Sequence, residues 1–258
     1  MPPGIQLEDR PGGVRILTLS NPRKRNALDE AMLRELIAAL SPDRGAGIRA
    51  LLVAGEGEHF CSGFDLAGLE SIPSEGPLPD DPLQEAFAAL EAYPAVTVAC
   101  VRGAAFGAGC ELALACDLRV FADDAVLCLP PAKLGVVYAP GGLARLAALA
   151  GPSRAKWMFF TGRKVRAAEA RDWGLCEALH PRDESLPQAL AVCEELAQNA
   201  PLALRGMKRI FGALARGPLP EEESAEVQRL RREAFLSRDA KEGRQAFLEK
   251  RPPKFEGR

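Results

Sequence analysis

VRGAAFGAGCELALACDLRV, residues Val101–Val120, is the stretch from which the rest of the chain can be read. Glycines at 103, 107 and 109 loosen the backbone where an apolar strand, Val96–Val101, hands over to a short apolar helix, Cys110–Cys116. A glycine turn lets a ligand come close to the backbone, and the helix start behind it offers unpaired N–H groups and the positive end of a dipole. One acid, Glu111, falls inside this apolar run. Such a carboxyl must find a partner, stay partly exposed, or have its pKa raised, and the last of these makes an acid or base that works near neutral pH. A plainer role stands beside it, that of an acid favoured at a helix start by the dipole.

Upstream, the pattern predicts a strand at Val14–Leu19, a polar turn SNPRKRNALD with Asp29 as helix cap, and a helix on which Met32, Leu33, Leu36, Ile37 and Leu40 share one face. A second strand, Ile48–Ala54, runs into GEGEHFCSGFDLAGL (Gly55–Leu69), where Asp65 is placed to cap a helix Leu66–Leu69. Four prolines in residues 72–83 predict a surface loop or flap, ahead of a helix at Pro82–Tyr93. Downstream, Leu118–Ala122 and Val126–Leu129 read as strands. Everything after Gly135 reads as helix: Leu143–Ala150, Ser153–Thr161, Ala167–Gly174, Leu186–Asn199, Pro201–Arg216, Glu221–Ser237 and Asp239–Lys250. These alternations predict an α/β core, residues 1–195, whose turns gather at one end, followed by a C-terminal helical region, 196–258, for lid or assembly roles.

The chain has 258 residues, 47% hydrophobic and 26% charged, enough for one sizeable core. A net charge of -2 gives no global pull toward nucleic acid or anionic membrane, so any phosphate must be met locally. No apolar signal core opens the sequence, and Arg119 interrupts the longest apolar stretch, so a cytoplasmic protein without a membrane span is expected. Seven cysteines form no C-x-x-C pair and read as reduced core residues. The two histidines, His59 and His180, read as exposed turn residues. Cys61 and Ser62 have no triad pattern around them and read as packing and capping groups. The spacing G-x-x-x-G-x-G departs from the dinucleotide fingerprint even though Asp123 follows a strand at a suitable distance.

Taken together and in order, SNPRKRNALD, HFCSGFDL, GAAFGAGCELALACDLRV, PPAKLGVVYAPGG, FFTGRKVRAAEARDWGL and AKEGRQAFLEKRPPKF resemble the crotonase, or enoyl-CoA hydratase/isomerase, superfamily through nearly the whole chain. The resemblance implies repeated ββα units, a helical C-terminal trimerisation region, a homotrimer or dimer of trimers, and an acyl-CoA thioester substrate. Coenzyme A enters as part of that substrate, and no further cofactor or metal is implied.

Carried over by position, the resemblance makes the N–H groups of Phe64 and Ala108 the oxyanion hole, with alanine where the family usually has glycine. Glu111 matches the first of the two hydratase glutamates. Pro131, four residues before Gly135, stands where the second would be, and a proline can neither orient water nor pass a proton. Tyr138 matches a tyrosine of methylmalonyl-CoA decarboxylase-like members, which also carry that proline. Those members tend to have histidine where this chain has Phe64. Arg23, Lys24 and Arg25, a solvated charge run on their own terms, lie on the loop that follows CoA in the family. Ala27, Leu28, Cys61, Gly63, Asp65, Leu66, Gly107, Pro131 and Leu134 fall at substrate-lining positions. Lys250 corresponds to a residue that can reach a neighbouring subunit's CoA. Three functions follow as expectations: hydration of a 2-enoyl-CoA, decarboxylation or another carbon–carbon lyase reaction through the same enolate, or CoA binding with little catalysis.

Overall fold

The computed structural model describes residues 3–41, 45, 47–66, 78–215 and 221–258. Its main sheet is built from β1 (Gly4–Arg10), β2 (Val14–Ser20), β3 (Ala50–Gly55), β4 (Val96–Val101), β6 (Leu118–Ala122) and β9 (Ala178–His180), side by side in that order. Only the β1–β2 hairpin is antiparallel; the other pairs of this sheet run parallel. Parallel strands need cover on both faces, which is why β3 and β4 read as unbroken apolar runs. Successive residues point to opposite faces, and two cores result. Leu51 and Val53 of β3 and Ala99 and Val101 of β4 join the core that holds helices α1 (Glu30–Ala39), α2 (Asp81–Ala92) and α3 (Ala108–Ala115). Ala50, Leu52, Ala54, Val98 and Cys100 face the other way, onto Ala189, Cys193 and Ala197 of α8 (Arg182–Ala197).

A second, small sheet carries β5 (Ala104–Phe106), β7 (Val126–Cys128) and β8 (Lys164–Arg166). Two ββα units are therefore visible: β4, β5 and α3, then β6, β7 and α4 (Pro131–Leu134). Helices α5 (Pro140–Ala150), α6 (Pro152–Thr161) and α7 (Ala167–Asp172) follow, and α9 (Pro201–Ala215), α10 (Glu221–Leu236) and α11 (Arg238–Glu249) close the chain.

The expectation that everything beyond Gly135 is helical is corrected by β8 and β9. Each is three residues long, and their pairing partners, β7 and β6, lie far back in the chain. A strand that short carries too few side chains to show an alternation. The three-residue β5 escapes the sequence for the same reason, while β1 is seven residues long but has no buried face, so no apolar alternation marks it. The proline-rich stretch 72–77 and positions 67–69 of the expected short helix lie outside the described residues. Among the described residues, no helix is long and apolar enough to cross a membrane. All seven cysteines are free and buried.

Candidate active site

Two loops meet in front of α3. The first, Phe60–Phe64, runs beside the second, Ala104–Ala108, in a short parallel ladder: Cys61 N–H donates to Ala104 O at 3.1 Å and Phe106 N–H to Cys61 O at 2.9 Å. On its other side the first loop is strapped to the 21–28 turn, with Leu28 N–H donating to Gly63 O at 2.8 Å and Asp65 N–H to Leu28 O at 2.9 Å. Both loops turn through glycine. Gly63 has φ 106° and Gly107 has φ 53°, conformations in which a side chain would be strained. At Gly63 there is also no room, since a Cβ would stand 2.7 Å from Phe106 O.

Each glycine is followed by a free donor. Among the described residues neither the Phe64 N–H nor the Ala108 N–H has an acceptor. The two belong to adjoining turns, because the space beside the Gly63 Cα opens 3.4 Å from Ala108 N. Ala108 is not among the residues with positive φ, so the positive angle falls on Gly107 and alanine costs the helix start nothing. Ala108 begins α3, which leaves its N–H without an intrahelical partner.

Glu111 sits three residues further along α3 and therefore on the same face as Ala108. It is 4% exposed, and no described residue hydrogen-bonds its carboxyl. Burial pushes its pKa up to about 7; the Arg145 guanidinium pulls against this shift and Asp80 adds to it. A carboxyl poised there can both accept and return a proton at neutral pH. Gly142, near the start of α5, faces it, and a Cβ at that position would stand 2.5 Å from Oε1. Tyr138 places its hydroxyl 3.3 Å from the spot where a Cβ on Gly107 would lie, with its ring edge-on to Phe159 at 5.7 Å. Burial, then the nearby Glu111 charge, push the phenol well above its usual pKa, so it is a neutral donor.

The other expected positions scatter more widely. Ala27, Leu28 and Cys61 are buried in the walls behind the loops. The Cys61 thiol is pushed up to about 12 by burial, which rules it out as a nucleophile near pH 7. Lys24 and Asp65 form an ion pair at 2.6 Å, while Arg23 and Arg25 are exposed. Leu66 and Leu134 are half-exposed. Pro131 is buried at the first position of α4, and its carbonyl accepts from the Gly135 and Val136 N–H groups. Lys250 caps α11 in a left-handed conformation and is exposed. A cavity of about 660 Å³ among Arg238, Glu242, Arg251 and Lys254 touches none of the loop residues. Among the described residues no cluster could hold a metal ion.

Three residues went unnoticed in the sequence. Gly142 and Arg145 frame Glu111 from α5, and nothing but chain folding brings that helix to α3. Asn26, fully buried with φ 57°, donates to Glu56 O at 2.9 Å and His59 O at 2.8 Å and accepts from Asn21 N–H at 2.8 Å, so it locks the 21–28 turn to the first loop. The reading of His59 and His180 as exposed turn residues is also corrected: both are half-buried, the His59 ring accepts a backbone hydrogen bond, and His180 ends β9.

The same order of loops and helices occurs in known proteins. Residues 9–258 match the family described as Enoyl-CoA hydratase/isomerase. The chain is 34% identical over 246 residues to the 2,3-dehydroadipyl-CoA hydratase of Escherichia coli (strain K12), an alignment covering 95% of this chain and 96% of that one. It is similar in fold to an enoyl-CoA hydratase from Bacillus anthracis, with a TM-score of 0.89 and 30% identity over 99% of this chain and 100% of that one. An enoyl-CoA hydratase from Polaromonas sp. JS666 gives 0.88 and 30% over 98% and 100%. The chain belongs to the enoyl-CoA hydratase/isomerase family, within the crotonase superfamily.

Proposed function

We propose that this protein hydrates, or dehydrates toward, a 2-enoyl-CoA, using Glu111 as its single carboxyl acid–base. The observation that carries the reading is the pair of free N–H groups, Phe64 and Ala108, in adjoining turns one helical turn from a buried carboxyl with a pKa near 7. The Glu111 carboxylate takes a proton from water, and the hydroxide forms a bond to the β-carbon. The double-bond electrons move toward the thioester carbonyl, and the two N–H groups hold the resulting enolate oxygen. Each such donor is worth about 2.7–4 kcal/mol in comparable sites. Glu111, now protonated, returns its proton to the α-carbon, which completes the addition of one water. A single group can do both transfers when water and proton arrive from one face, so Pro131 does not forbid the reaction.

The Tyr138 hydroxyl beside Gly107 favours a second reading. There the carboxylate of a malonyl-type CoA leaves as carbon dioxide, its bonding electrons pass to the same enolate, and neutral Glu111 protonates the carbon. A neutral phenol and a neutral carboxyl would hold the departing carboxylate without charge repulsion. Purified protein offered crotonyl-CoA and, separately, a malonyl-type CoA separates the two through loss of the conjugated double bond or release of carbon dioxide. Hydration that survives Glu111→Gln sinks the assignment of the base; a Tyr138→Phe variant with unchanged decarboxylation sinks the second reading. Tight CoA binding with neither reaction leaves the weakly catalytic binding subunit.

Assembly through the C-terminal helices fits the exposure of Met207, Phe211, Phe235 and Phe247 on α9, α10 and α11. A trimer or dimer of trimers, with Lys250 reaching a neighbour's CoA, is the arrangement proposed, and mass photometry reads its stoichiometry.

A further inference from the structure

The loops that bear Phe64 and Ala108 are joined at their base by a closed ring of contacts through His59. The His59 Nδ1 accepts the Ala104 N–H at 3.2 Å. Next to it, the Gly103 N–H donates to Asp124 Oδ1 at 3.1 Å. The other Asp124 oxygen is paired with Arg182, whose Nη2 donates to Glu58 O at 3.0 Å. Glu58 precedes His59, which closes the ring. Gly103 makes room for it, because a Cβ there would stand 2.6 Å from His59 Nδ1.

From this base the backbone ladder continues upward, with Phe60 N–H donating to Arg102 O at 2.8 Å before the Cys61 and Phe106 rungs already described. The imidazole thus supplies a rung that the backbone cannot. Ala104 is buried, so its N–H would be left without an acceptor if the imidazole were removed. A buried donor in that position is costly, and the loop relieves the cost by moving. Ala104 is four residues from Ala108 along a short, stiff strand and turn, and His59 is five from Phe64.

We propose that His59 is a positioning residue for the oxyanion hole: by accepting the Ala104 N–H at Nδ1, its ring fixes the spacing of the Phe64 and Ala108 N–H groups. The inference rests on the functional reading above but concerns a group that touches neither substrate nor reacting atoms. Its signature is a loss confined to turnover, since a donor displaced by a fraction of an ångström binds the ground state almost as well as before.

The test uses the full chain, steady-state kinetics with the acyl-CoA it turns over, and amide hydrogen exchange across 101–108. His59→Leu should lower kcat by about 10- to 100-fold with KM within about 3-fold, and Ala104 should exchange faster. His59→Asn, whose Oδ1 can stand where Nδ1 stood, should keep kcat within about 3-fold and leave exchange unchanged. If the leucine variant does not fold, Arg182→Gln, further out on the ring, should show a smaller loss of kcat in the same direction. Wild-type kcat in His59→Leu or Arg182→Gln overturns the proposal, as do equal losses in the leucine and asparagine variants. Absence of any acyl-CoA turnover by the wild-type protein instead overturns the functional reading, and unchanged Ala104 exchange in His59→Leu then removes the His59 rung on its own account.

Discussion

Gly142 and Glu111 share one space: a Cβ added to Gly142 would stand 2.5 Å from Glu111 Oε1, 2.7 Å from its Cδ and 2.9 Å from Oε2. The carboxyl is held by close approach of α5 and not by hydrogen bonds from the described residues. Gly142→Ala should therefore push the whole carboxyl aside, lowering kcat by about 10- to 100-fold while costing about 1–3 kcal/mol of stability through overpacking. Kinetics and urea unfolding of the variant check both; an unchanged kcat would mean that the carboxyl position does not matter to turnover.

Glu111 also makes stability depend on pH with a definite sign. Its ordinary pKa is 4.5 and its folded value about 7, so the folded state holds the proton more tightly. Stability falls as pH rises from 4.5 to about 7 and is flat on either side, a difference of about 3 kcal/mol at 1.36 kcal/mol per unit. Glu111→Gln should be more stable than the wild type by roughly that amount at pH 8, and no different near pH 4. Urea melts at the two pH values read it directly.

The same titration separates the two proposed reactions. Hydration needs the carboxylate, so its kcat/KM should rise as pH increases through about 7. Decarboxylation uses the protonated form to deliver a proton and should decline over that range. A pH–rate profile on each thioester gives the answer, and a flat profile in both cases argues against Glu111 as the group that moves the proton.

Asn26 anchors the turn that carries Arg23, Lys24 and Arg25. Removing its side chain with Asn26→Ala leaves the carbonyls of Glu56 and His59 and the N–H of Asn21 without their partner and keeps a residue with a Cβ at φ 57°. A loss of about 3 kcal/mol is expected from such orphaned groups. Thermal unfolding measures it. Lys24→Ala, by contrast, removes an exposed pair with Asp65 and should cost under about 1 kcal/mol.

Lys208 ties the C-terminal helices to the core. Its side chain is 9% exposed, and Nζ lies 2.7 Å from Asp117 Oδ2 and donates to Leu90 O and Ala95 O at 3.3 and 3.0 Å. Lys208→Met should cost about 3 kcal/mol, since among the described residues Asp117 keeps only its Thr97 contacts. Limited proteolysis should then cut ahead of α9 sooner than in the wild type; an unchanged cleavage pattern would show that the apolar contacts of α9 suffice.

The sequence by itself determined the strand–turn–helix units and where the glycine turns fall. Apolar runs such as Val96–Val101 are long enough to announce strands covered on both faces, Asp29 does cap α1 through its contact with the Met32 N–H, and the glycines that announced the turns at 63 and 107 carry the positive φ. For the lone Glu111 the sequence left a partner, exposure or a raised pKa open, and its burial in the fold favours the last. Only the tertiary structure decided what depends on distant pairing. β8 and β9 exist as partners of β7 and β6, and Gly142 and Arg145 meet Glu111 because α5 crosses α3. His59 became a rung between the loops because Ala104, 45 residues on, turns its N–H toward it. Local propensity and periodicity are written along the chain, but a side chain's partner is fixed only when the sheet brings remote segments together.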